Sequence, residues 1–289
     1  MNRMGHNGFE GWYFKHQKGE RTLAFIVGRA QSGAFVQLAG DGFSRRFAVR
    51  RFSNRQGVLR ADACRFTRAG CTLALPGVQG ALRYGPLAPL RGDIMGPLRF
   101  LPLQCRHAVL SMAHPLRGCV TVEGERYDFD GGMGYIEADF GTSFPRGYLW
   151  LHGGGRTAGG WPVSVMMAVA QVALPNGGLA FPGCIGVVWL AGQQVRFATY
   201  LGARIHALSP QYVCVSQGVG PARRQLEATV LEAEGGQTLA APQQGRMCAA
   251  VRETHSAVVR IRYWQTGRLV LDWLCRRASF EVREAEAQK

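Results

Sequence analysis

Tyr135, Glu137 and Asp139 stand at alternate positions in the segment Gly134–Pro145. In an extended chain these three side chains project to one side. Two buried carboxyls on one face cannot both ionise cheaply, so one keeps its proton at neutral pH. A carboxylic acid held neutral in apolar surroundings is a candidate general acid. Phe140 follows directly, and the segment runs on into Tyr148, Trp150 and His152. Near the start, Phe9-Glu10-Gly11-Trp12-Tyr13-Phe14 places one acid among four aromatics, and His107–Arg117 adds His107, Ser111, His114 and Arg117. The competing reading is structural, with the acids paired to Arg117, Arg126 or Arg146.

The elements that must position these groups are strands. Ser256–Trp264 puts Val259, Ile261 and Tyr263 on one face and Arg260 and Arg262 on the other, and Leu269, Leu271 and Trp273 resume the apolar face after a turn at 265–268. Val120–Val122 with Arg126–Phe129, and Ile185–Leu190 with Val195–Tyr200, read as two more hairpins. No long segment has a capped 3.6-residue stripe, and 39 glycines and 13 prolines punctuate almost every run. The expected fold is all-β and antiparallel. More than a dozen strands overfill one small barrel, so two barrel or sandwich lobes in tandem are expected, residues 1–130 and 131–289, divided near Asp130–Gly134.

The formal charge of +15 rests on 34 basic residues, only three of them lysines. It is spread evenly, which argues against a nucleic-acid module. The densest run, Arg45, Arg46, Arg50, Arg51, Arg55, Arg60, Arg65 and Arg68, reads as the solvated face of successive strands. Its functional alternative is peripheral contact with an anionic membrane surface. No apolar run is long enough for a membrane-spanning helix, and Met1–Trp12 lacks the apolar block of a signal peptide. A cytoplasmic location is expected, with the eight cysteines, none in a C-x-x-C pair, as reduced thiols. His107 and His114, seven apart, fall on opposite faces of a strand, so no metal site is expected. Walker, G-x-S-x-G and H-E-x-x-H signatures are absent, and Glu137 stands where a third glycine would complete G-x-G-x-x-G.

In combination, several segments resemble the tocopherol cyclase family. They are Phe9–Phe14, Gly118–Val122, Gly124–Phe129, then Tyr135, Glu137, Gly141, Phe144-Pro145-Arg146 and Tyr148-Leu149-Trp150, with Leu239-Ala240-Ala241-Pro242 and Gly267–Leu271 towards the end. The resemblance implies a lipocalin-related fold and an intramolecular lyase that closes a chromanol ring on a prenylated hydroquinone. That chemistry protonates the prenyl alkene nearest the ring, captures the tertiary cation with the phenolic oxygen, and needs no cofactor or metal. Glu137 matches the family's Tyr-x-Glu glutamate and is the expected acid, with Asp139 its substitute or partner. His107, His114 or His152 would take the phenol proton. Trp12, Tyr135, Phe140 and Trp150 would wall the cavity, and Glu10 and Tyr13 would also meet substrate.

Ala138, Asp139 and Phe140 replace the Lys, Asn and Trp of plant members, and His152 replaces a Gln, which leaves the substrate open. The expected partner is a small hydrophobic molecule, a prenylated quinol or another isoprenoid. A non-catalytic binder of such a ligand is the alternative, and water addition to an isoprenoid alkene is a third reading.

Overall fold

Two-residue turns joining strands of alternating polarity set the architecture. Glu123-Gly124, Ala191-Gly192 and Thr266-Gly267 each pair a non-glycine residue near φ +50° with a glycine near +80°. This left-handed pair matches the twist of a tight hairpin, and glycine takes the second place without steric cost. In the computed structural model, which describes residues 8–173 and 180–284, all three close the hairpins expected from sequence.

The first antiparallel sheet contains β1 (Phe9–Lys18), β2 (Arg21–Ala30), β3 (Gly33–Gly40), β4 (Phe43–Val49), β5 (Phe52–Arg55) and β6 (Val58–Ala61). It continues through β7 (Cys64–Thr67), β8 (Gly70–Leu75), β9 (Val78–Tyr84), β10 (Cys105–Val122), β11 (Glu125–Asp128) and β12 (Met133–Gly141). Its order is β4-β3-β2-β1-β12-β10-β9-β8-β7-β6-β5, with β11 on β10. The second sheet holds β13 (Tyr148–Arg156), β14 (Pro162–Val172), β15 (Phe181–Leu190), β16 (Gln193–Ala198) and β17 (Arg204–Ser209). It is completed by β18 (Tyr212–Gln217), β19 (Arg224–Glu232), β20 (Gln237–Gln243), β21 (Arg246–Gln265) and β22 (Arg268–Arg283). Its order is β16-β15-β14-β13-β22-β21-β19-β18-β17, with β20 on β21.

The fold is all-β and antiparallel, and among the described residues there is no α-helix, hence none long and apolar enough to cross a membrane. Each sheet encloses its own core. Phe14, Phe25, Phe66 and Phe129 are among the buried side chains of the first, and Leu151, Phe197, Ile261 and Trp273 of the second. All eight cysteines are free. The eight arginines of the dense run are exposed, on β4–β7 and their turns.

The chain divides into two units, but not at residue 130. The first comprises 1–91, 105–144 and 239–250, and the second comprises 92–104, 145–238 and 251–289. The Asp130–Gly134 segment is only the turn into β12, which pairs with β1 and β10 in the middle of the first sheet. Hydrogen-bonded pairing outweighs the local Gly-rich break. The aromatic segments 9–14 and 135–140 consequently face one another as ladder partners, from Phe9–Gly141 to Phe14–Ile136.

Candidate active site

Strand β12 is covered on both faces, which makes its alternation chemically informative. Ile136, Ala138 and Phe140 turn to the first unit's core. Tyr135, Glu137 and Asp139 therefore occupy the opposite face. Tyr135 is 1% and Glu137 5% exposed, so the glutamate is deeply buried. Tyr13 is the cross-strand partner of Glu137, and Lys15, also buried, is that of Tyr135. On the other flank, His107 of β10 is opposite Asp139.

The polar groups form a chain. The Tyr135 hydroxyl donates to Glu137 Oε2 at 2.6 Å. His107 Nε2 lies 3.4 Å from the same oxygen, and His107 Nδ1 lies 2.9 Å from Asp139 Oδ1. Cys105 Sγ is 3.7 Å from that Asp139 oxygen. Burial, and then the neighbouring Glu137, push the Tyr135 phenol well above its ordinary pKa. Burial and Asp139 do the same to the Cys105 thiol. Both remain protonated donors. The trio sets one imidazole between two carboxyl groups, a short path for an exchangeable proton. It can give a proton and take one back.

The same face is closed within the first unit by residues 239–250. Gln37 lies in the cross-strand row Gln37–Ile26–Tyr13–Glu137. Its amide donates to Ala240 O at 3.0 Å and accepts from Ala240 N–H at 2.9 Å. Phe144 N–H donates to Pro242 O, and Gly245 N–H to Thr142 O.

The expected site residues separate into groups. Glu137, Asp139, His107, Tyr135 and Tyr13 come together. Trp12 and Phe140, expected as cavity walls, do not join them. They meet edge to face at 5.4 Å on the core side, because Trp12 pairs with Ala138 and shares its face. Glu10 is held by Arg29 at 2.7 Å, also on Trp12's side of β1. His114, one of the three histidines expected to take the phenol proton, lies across the sheet from His107, as the seven-residue spacing indicated, and does not meet Glu137. Its Nδ1 is 3.0 Å from Ser111 Oγ, and its ring is 4.6 Å from that of Tyr84. Gly134 leaves room for that ring, since a Cβ there would come within 2.2 Å of His114 Nε2. Trp150 and His152 belong to β13 of the second unit.

Sequence reasoning missed Lys15 and Cys105, although their register opposite Tyr135 and beside Asp139 follows once β1, β10 and β12 are paired. Among the described residues, His107, Glu137 and Asp139 are also the one trio whose ligand atoms, within 4.8 Å of each other, could meet at a metal ion. Both imidazole nitrogens already face carboxylate oxygens, an arrangement that serves a proton directly.

A family model described as tocopherol cyclase-like matches residues 53–283. The matched span includes Glu137 and leaves out the segment 9–14. No curated protein matches the sequence significantly. Among solved structures, CghA is similar with TM-score 0.64 and 11% identity, over 99% of this chain and 91% of that one. A provisionally assigned AttH from Nitrosomonas europaea gives 0.53 at 13%, over 96% and 92%. Kievitone hydratase from Nectria haematococca gives 0.51 at 8%, over 97% and 90%. At these identities the likeness is one of fold.

Proposed function

The chain belongs to the tocopherol cyclase-like family, and from that premise we propose that it closes a chromanol ring on a prenylated hydroquinone. The observation that carries this reading is the run Tyr135–Glu137–His107–Asp139, buried at Tyr135 and Glu137 and half-buried at His107 and Asp139. Glu137 protonates the alkene CH nearest the ring, which leaves a tertiary cation one carbon further on. The phenolic oxygen bonds to that carbon, and its proton returns to the array through His107 and Asp139. Atoms and charge balance without a cofactor: the product is an isomer of the substrate. A positioned acid of this kind contributes about 10²–10⁴-fold in rate. Tyr13 and Tyr135 present aromatic rings on the same face, each able to stabilise a nearby cation by about 0.5–2 kcal/mol. Burial limits water, which would otherwise trap that cation.

The test uses a phytylated hydroquinone in D₂O and, separately, in ¹⁸O-water. Cyclisation places one deuterium at the former alkene CH and takes no solvent oxygen into the ring. Since kievitone hydratase shares the fold, the labelled-oxygen arm is decisive: an ¹⁸O-labelled tertiary alcohol replaces cyclisation with hydration. A bound but unchanged quinol would leave a non-catalytic carrier.

A further inference from the structure

The second sheet buries a polar set that the proposed reaction does not use. Glu253 of β21 and Glu281 of β22 are directly opposed, and both are buried. Such partners have Cβ atoms about 4.5–5.5 Å apart, a poor place for two like charges. His255 Nδ1 lies 2.9 Å from Ser279 Oγ and 3.4 Å from Glu253 Oε1. The Tyr148 hydroxyl donates to Glu281 Oε1. On β13, Trp150 is opposite Glu281 and His152 opposite Ser279. His152 Nε2 is also 3.0 Å from Ser164 Oγ.

Topology supplies an independent reason to regard this set as a site. The runs β3-β2-β1-β12-β10 and β15-β14-β13-β22-β21 occupy corresponding places in the two sheets. The long strands β10 and β21 correspond, and both contain register shifts. The first array sits on β12 and β10, and this one sits mainly on β22 and β21. Each has a tyrosine hydroxyl on a glutamate and a histidine beside an acid. A purely structural role is better served by apolar side chains, because burying and opposing acids is costly.

We propose that Tyr148, Glu253, His255, Ser279 and Glu281 form a second ligand subsite, which takes the hydroxyl of a phenol on an apolar molecule. A phenolic hydroxyl donates one hydrogen bond and accepts others. The set offers carboxylate, imidazole and hydroxyl acceptors for the phenol's proton, and the Ser279 hydroxyl as a donor to its oxygen. The opposed acids disfavour an anionic ligand, and Trp150 provides an aromatic surface in the same cross-strand row. The inference takes only its ligand class from the function proposed above.

Titration with 4-heptylphenol and with heptylbenzene, read by tryptophan fluorescence, tests it. The phenol is expected to change the emission saturably and to bind at least tenfold more tightly than the hydrocarbon. Trp150→Phe should remove most of that change. Glu281→Gln and the milder Ser279→Ala should each weaken phenol binding at least tenfold. Equal binding of the two probes, full affinity in both variants, or a signal that survives Trp150→Phe overturns the subsite. Chromanol formation from the phytylated hydroquinone is scored on the same preparations. Its absence with phenol-selective binding intact would overturn the cyclisation and leave the subsite standing.

Discussion

His107 and His114 lie on one strand, and their surroundings divide their chemistry. His107 sits between two carboxyl groups, with a ring nitrogen toward each. His114 packs among Tyr84, Ser111 and the backbone of Gly134, on the same side as His16, whose Nε2 is 2.7 Å from the Tyr84 hydroxyl. Burial lowers the His114 pKa to about 4. Burial, and then His114 itself, lower that of His16 to about 3. These two rings are neutral packing elements at pH 7, whereas His107 is placed where a proton can be exchanged. Residue type alone does not distinguish them; the face of the sheet does.

The largest effect that could break this contrast comes from Glu137→Gln. We expect turnover to fall about 10²–10⁴-fold with the fold intact by circular dichroism, because a neutral amide cannot act as the acid. A rate within a factor of two of wild type would move the chemistry elsewhere. Asp139→Asn should cost about 10–100-fold and displace the pH–rate profile, since the imidazole loses its carboxyl partner while Glu137 remains. An unshifted profile would make Asp139 a packing residue.

The opposite face should respond in stability. His16 and His114 have folded pKa values below the ordinary 6.5, so the unfolded chain binds the additional protons. Their stabilising contribution is complete above pH 6.5 and declines as pH falls toward 4 and then 3. The slope is at most about 1.4 kcal/mol per pH unit for each ring, and less for the coupled pair. Urea unfolding at pH 7, 5.5 and 4.5 should show a decline that His114→Gln lessens, and equal slopes would refute it. The smallest effect should come from EDTA, which we expect to leave turnover unchanged. A loss restored by a divalent cation would turn the His107–Glu137–Asp139 trio from a proton array into a metal site.

Much of the fold was legible because turn chemistry and alternation are local. Glu123-Gly124 and the apolar faces of Val259, Ile261 and Tyr263 specify hairpins without knowledge of distant partners. Segment 50–76 was less readable, since β5–β8 are only four to six residues long and the arginines mask their alternation. Strand β10 was hidden by Pro115, which the ladder accommodates near a register shift where β10 passes from β12 to β9. Glu137 and Asp139 were readable as neighbours on one face. That His107 would join them, or that Trp12 and Phe140 would turn away, depended on which strands pair. The Glu253–Glu281 opposition was likewise beyond local pattern, as its members lie on strands whose shifted register the sequence does not announce.

The interleaving of the two units bears on how the chain is made. Residues 239–250 complete the first unit, so on a ribosome that unit waits for a segment encoded well after most of the second. Until then the Gln37 amide has no Ala240 backbone to bind, and the sheet face that holds Glu137 lacks its strap. An expressed fragment ending at residue 144 would be left in that unfinished state, prone to self-association through an unclosed sheet. Strand β21, which enters the first unit at its start and the second from Val251 onward, is therefore the late step on which the maturation of both depends.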